Sequence, residues 1–332
     1  MSYSRKSLPW VFNGVTAVGD CETSEDVIKK AGLDWTVDKC PILGKIENIG
    51  GCSYPPVEGW YATYRTDVHQ PLGIVKGKYT PVQNIKAFEF FDNAIENGNA
   101  DWFTAGCLDG GKQIFISAKL PNTLNINGDE VDNYLIFTNS HDGSSGVKIM
   151  IAPIRVVCFN MLNAAYRSST SYVSFKHTTN VHSKIDIATE ILGITDVKIK
   201  SFKELCDELA KRKINSNDSE KFITEFYLTD EEKNLLKVNK FSHRDIINKR
   251  WAALEATNIS TRKANLIIDN IDYMYRGIGQ KEINGTHWGV LNAISGFYSN
   301  VDNNEGENRF NTLLYGDRAN KIKRATELLI AA

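Results

Sequence analysis

The feature that most constrains this chain is a change of rhythm near Ser183. Before it, apolar residues alternate with polar ones; after it, they recur every three or four positions. A period of two places alternate side chains on opposite faces of a strand, whereas a period near 3.6 lines one face of a helix. The pattern therefore predicts an α+β fold. An antiparallel β-rich core with some helix occupies residues 1–182, and a mainly helical region over 183–332 packs on it.

Local signals mark the elements. Thr23 or Ser24 caps a helix through Ala31, with Glu25 and Asp26 in its first turn and Gly32 as the stop. Trp60–Thr66 and Gly73–Val82 read as strands, and Asn84 caps a helix that carries Ile85, Phe88, Phe91 and Ile95 to Gly98. Trp102–Leu108 and Lys112–Leu120 flank Asp109-Gly110-Gly111, residues that tolerate the positive φ of a tight hairpin. A second hairpin joins Tyr134–Asn139 to Val147–Phe159 through the polar loop 141–146, and Ser171–His177 adds a further strand. Beyond 183, Ser201 with Glu204 and Thr229 with Glu232 fit the capping box. Further helices are expected near 242–257, 260–275, 286–298 and 317–330, with 300–308 as an exposed loop.

At 332 residues the chain can bury a large core. No apolar run reaches the ~20 residues of a membrane span, and the first residues lack the apolar stretch of a secretory signal. The expectation is a cytoplasmic protein with no membrane association. Six scattered cysteines without a CxxC spacing read as free buried thiols.

The net charge of −1 conceals a gap. From Gly143 to Ile185 there is no acidic residue, where average usage would place about five. This stretch carries Lys148, Arg155, Arg167, Lys176 and Lys184, interleaved with Phe159, Tyr166, Tyr172 and Phe175 and flanked by His177 and His182. Cations for phosphates and rings for base stacking are what single-stranded nucleic-acid binding needs. The candidate binding set is Lys148, Arg155, Arg167, Tyr172, Lys176, His177 and Lys184. The competing reading is a solvated basic rim on an ordinary sheet, with Arg155, inside IRVVC, as a paired core residue.

Other chemistry has less to stand on. Neither GxxxxGK[ST] nor GxGxxG occurs, so no nucleotide cofactor is expected. His177 and His182, five apart, share no helical face, and no metal site is assigned. Cys158 and His177 would make a thiolate–imidazole pair if their strands were neighbours, but VVCF is an apolar run in which a thiol behaves as a small buried hydrophobe. No catalytic residue is assigned.

The segments AGLDWTVDKCPI (31–42), LGIVKGKYTPVQN (72–84), AGCLDGGKQIFISAKLP (105–121), FTNSHDGSS (137–145), IRVVCFNML (154–162), KHT (176–178) and THWGVLNAISGFY (286–298), taken in order, resemble the phage/plasmid-like family that carries domain of unknown function 932. The resemblance implies a mobile-element gene and supplies no established catalytic residues. Its motif residues Arg155, Asn160, His177, Thr286, Trp288 and Asn292 are equally readable as fold determinants. Where the family often has a His after its closing aromatic segment, this chain has Asn303 and Asn304, which counts against catalysis there.

The resulting expectation is a single-stranded nucleic-acid-binding protein of phage-type DNA metabolism, assisting annealing or replication. The alternative is an interaction protein that inhibits a host defence or regulatory factor through its helical C-terminal part. Homo-oligomerisation is left open.

Overall fold

The computed structural model describes residues 6–158, 172–178 and 199–332, apart from positions 9, 13, 97, 122 and 304. The chain begins with β1 (Val15–Ala17) and α1 (Ser24–Lys30), then β2 (Val37–Leu43), β3 (Ile46–Asn48), β4 (Gly51–Ser53), β5 (Pro56–Arg65) and β6 (Pro71–Lys76). After α2 (Asn84–Glu96) come β7 (Asp101–Leu108), β8 (Gln113–Lys119), β9 (Leu124–Ile126), β10 (Asp129–Ser140), β11 (Val147–Arg155) and β12 (Tyr172–Phe175). From residue 199 the elements are helices: α3 (199–211), α4 (Ser216–Tyr227), α5 (Asp230–Val238), α6 (His243–Ile247), α7 (Trp251–Ala256) and α8 (Thr261–Arg276). Then follow α9 (His287–Gly296), a π-helical turn (Phe297–Val301), α10 (Gly306–Leu314) and α11 (Asp317–Ala331).

The main sheet is antiparallel, in the order β1-β7-β8-β10-β11-β12, with β9 also on β10. Register explains how it is covered. Phe137 pairs with Ile116 and Thr138 with Phe115, so Phe137 and Phe115 lie on opposite faces. Phe137 meets Phe91 of α2 at 6.4 Å, while Phe115 meets Phe310 of α10 at 5.0 Å. One hydrophobic cluster runs from Leu8 to Leu329 and takes in both the sheet and the C-terminal helices. The sequence's α+β class and its helical C-terminal part are thus what the structure has.

A second, three-stranded sheet, β2-β5-β6, stands beside the first and continues into the two-stranded hairpin β3–β4. Among the described residues, eight of the fifteen exposed large hydrophobic side chains fall between Leu43 and Ile74 on this arm and its connections. The alternation around Trp60–Thr66 reveals one strand here, but the hairpins around it went unread.

Several sequence expectations shift. The strand expected over Gly73–Val82 stops at Lys76, where Gly77 and Lys78 turn the chain. Val147–Phe159 stops at Arg155 for the same reason, a turn over 156–158. Ser201 is no cap, because helix is already present at 199. Residues 242–257 form two helices, since Lys249 adopts φ 50 between them. Residues 306–308, taken as loop, open α10, whose apolar Phe310, Leu313 and Leu314 lie buried. The capping box of Thr229 with Glu232 is present.

Candidate functional site

The loop 141–146 is polar in sequence, yet it begins buried. His141 is fully buried: its Nε2 lies 2.9 Å from Asn84 Oδ1, its backbone carbonyl accepts from Thr63 Oγ1 at 2.7 Å, and Trp35 meets its ring edge-on. Asn84 is therefore occupied. Its amide donates to the carbonyls of Leu33 and Trp35, so it ties the loop and the start of α2 to the connection that follows α1.

Asp142 accepts from Ser140 Oγ and from the Ser144 backbone N–H at 2.8 Å, which closes a tight turn. These hydrogen bonds hold its carboxyl below the usual range against the opposing effect of burial. The turn lies directly on β6: a Cβ at Gly73 would come within 2.3 Å of the Asp142 carbonyl oxygen. Only glycine permits that approach.

His177 arrives from β12. Its backbone carbonyl accepts from Thr80 N–H at 3.2 Å, its Nδ1 lies 3.2 Å from Thr80 O, and its ring stacks on Tyr79 at 4.6 Å. Tyr79 in turn donates to the Ser140 carbonyl at 2.7 Å. Burial holds His177 down at about 4 and His141 at about 3, the latter also opposed by the charge of its neighbour His177. Both rings are neutral at pH 7. Among the described residues His141 Nδ1 and His177 Nε2 have no hydrogen-bond partner.

The expected binding residues do not gather on one face. Arg155 is only 1% exposed; its Nε bonds Asp129 Oδ1 and Oδ2 at 2.7 and 2.5 Å, and its Nη2 donates to Gly279 O. It is committed inside the fold, beside a cavity of about 460 Å³ that Glu130 and Glu282 also line. Lys148 is half-buried with its ammonium 4.2 Å from the centre of the Tyr315 ring. Register puts Lys148 and Arg155 on opposite faces of β11. Tyr172 pairs with Met150 at the start of β12. Arg167 and Lys184, with His182, lie outside the described residues. Lys176 alone of the described lysines and arginines in the set is exposed.

Cys158 and His177 are far apart. Phe175, two residues before His177, pairs with Val147 at one end of β11, while Cys158 follows Arg155 at the other. Eight steps of strand between Val147 and Arg155 separate those ends by about 26 Å, so no thiolate–imidazole pair forms. Cys158 is buried, as its apolar run predicts, whereas Cys40 and Cys52 are exposed on the arm, against the expectation of buried thiols throughout. Among the described residues no group of three or more His, Cys, Asp or Glu is placed to hold a metal ion, and no helix is long and apolar enough to cross a membrane.

On the small sheet and its turn, next to the Tyr79–Thr80 segment that His177 contacts, lie lysines that the charge pattern did not single out. Lys39 Nζ donates to the carbonyls of Gly77 at 3.1 Å and Tyr79 at 2.7 Å, which places it at the turn that bears exposed Lys78. The Lys76 ammonium lies 4.6 Å from the Trp60 ring, and that of Lys39 lies 5.2 Å from Tyr61. Trp60 pairs with Lys76 and Ala62 with Ile74, so Trp60, Ala62, Ile74 and Lys76 share the outer face of the small sheet. The signal was present as LGIVKGKYT, three exposed or turn-borne groups in a strand-turn, but it lies outside the acid-free stretch.

Three segments that carry the family resemblance, 72–84, 137–145 and 176–178, thus meet in one place. The profile described as Domain of unknown function (DUF932) matches residues 71–329. The chain belongs to this family. The match starts at β6 and spans the main sheet and the C-terminal helices, leaving most of the arm outside it. No curated protein and no solved structure matches the chain.

Proposed function

We propose that the chain binds single-stranded nucleic acid in the DNA metabolism of a phage- or plasmid-type element, on the outer face of the small sheet and the turn beside it. The observation that carries this reading is Trp60, 39% exposed, with Lys76 over its ring on a solvent-facing strand pair. An exposed ring stacks on any base, and Lys76, Lys78 and Lys176 offer cations for the phosphates that flank it, whereas Lys39 shares the opposite face with Tyr61 and is tied to the carbonyls of Gly77 and Tyr79. Arg155 takes no part, since its charge is spent on Asp129. Lys148 contributes little, because burial lowers its pKa and its ammonium faces Tyr315.

Titration of a fluorescent oligo(dT) against salt tests the proposal. About three phosphate contacts give a log–log slope of roughly −2, at about −0.7 per contact on single strands. Binding that ignores salt, or that survives Trp60→Ala unchanged, overturns it.

A second reading, an interaction protein directed at a host factor, has its own support in the apolar arm. Leu43, Ile46, Ile49 and Tyr54 are more than half exposed, and clustered apolar surface of this kind marks contact sites. Here the surface lies on the N-terminal arm and not on the helical C-terminal part. Recovery of one host protein on the wild-type chain, lost on a variant with Leu43 and Ile49 replaced by Ser, would favour it.

A further inference from the structure

The arm presents a strand edge with nothing on it. β3 and β4 pair only with each other among the described residues, through Ile46–Ser53, Glu47–Cys52 and Asn48–Gly51. All six residues are exposed. A lone two-stranded ladder is marginal in water, whereas four strands with a covered apolar side hold. The outer edge of β3 carries unpaired backbone donors and acceptors, which is a template for another strand. Prolines guard the neighbouring segments: Pro41 lies in β2, and Pro55 and Pro56 lead into β5. None lies between Ile42 and Tyr54, so β3 keeps every backbone N–H.

We infer that two copies of this chain associate through β3, pairing it antiparallel with the β3 of the second copy about a two-fold axis at Ile46. The occupant follows from charge and apolar content together. An axis at Ile46 sets Lys45 of each copy against Glu47 of the other, so the two charges that now pair within one arm also match across the pair. It sets Ile46 against Ile46, and it joins the two β3–β4 hairpins into a four-stranded sheet. Ile49, fully exposed in one chain, and Leu43 flank that seam on either side of β3. A strongly acidic or basic partner has nothing to read here, because the segment from Leu43 to Val57 carries one Lys and one Glu. Among the described residues the arm is also the main concentration of exposed apolar side chains, which makes a second arm its best-matched complement.

Sedimentation velocity on the full chain, over about a hundredfold range of concentration, tests this. The wild type should pass from monomer to dimer. Lys45→Glu should abolish the dimer by placing like charges opposite each other, and Lys45→Glu with Glu47→Lys should restore it, an outcome that a merely sticky surface would not produce. In a Cys40→Ser, Cys52→Ser background, Ile46→Cys should oxidise to a disulfide-linked dimer, since directly paired strand positions bring their Cα atoms within disulfide reach. Each variant is checked by thermal melting in its monomeric state, where these exposed substitutions should leave the midpoint unchanged. A wild type that is monomeric at every concentration overturns the inference, as does a dimer indifferent to Lys45→Glu or an arm that engages only a different protein. Oligo(dT) binding reads on Trp60 and Lys76 and is scored separately, so the two proposals fail independently.

Discussion

The indole Nε1 of Trp288 donates to Asp129 Oδ2 at 2.9 Å, across 159 residues of sequence. The same carboxylate holds Arg155, so one buried acid ties α9 to the ends of β10 and β11. Asp129 and Arg155 are 8% and 1% exposed. A buried charge that loses its partner cannot recover solvation.

Asp129→Ala should therefore destabilise the fold by about 3–5 kcal/mol, read as the urea midpoint at constant slope. Arg155→Met should cost clearly less when combined with Asp129→Leu than the two single changes sum to, because the pair acts as a unit. Additive effects would show that the ion pair is not the tie described.

Stability should fall on mild acidification. His177 binds its proton at about 4 in the folded chain and His141 at about 3, against about 6.5 when unfolded. Between those values the unfolded chain holds more protons, so the stabilisation is whole above pH 6.5 and drains as pH falls toward 4. For His177 alone this is on the order of 3 kcal/mol. Asp142, with a lowered pKa, adds its loss at lower pH still. Chemical denaturation at stepped pH should show the slope, and His177→Phe should flatten it.

Thiol accessibility should sort the cysteines by place in the fold. Cys40 and Cys52 should label at once in the native protein, and Cys107, half-buried with its pKa raised by burial, should lag. Cys158 and Cys206, both buried, should wait for unfolding. Prompt labelling of Cys158 would contradict the packing of the Arg155 end of β11.

On the proposed nucleic-acid face, Trp60→Ala should cost about 1–3 kcal/mol of binding with little change in salt slope. Lys76→Gln should instead lower the slope by about one contact, or roughly 0.7. Arg155 substitutions should change melting temperature first. Anisotropy titrations at three salt concentrations, beside melting curves, separate the three behaviours.

The sequence by itself determined the α+β class, the hairpin at Asp109–Gly111, the helical C-terminal part and the burial of Cys158. Each is written in local periodicity, turn chemistry or a short apolar run, which act over a few residues. Only the tertiary structure decided where the charges and polar groups went. Arg155 and Lys176 look alike in a charge count, but Arg155 faces Asp129, twenty-six positions away, and Lys176 faces solvent. Asn84 reads as a helix cap, and only the fold brings its amide to the carbonyls of Leu33 and Trp35 and its Oδ1 to His141. The pattern 300–308 reads as loop because its polar residues outnumber the apolar face that begins at Phe310, and the sheet that buries that face is contributed by residues some 170–200 positions earlier. Burial is a property of contacts between distant segments, and a sequence records which groups need a partner without recording which partner the fold brings.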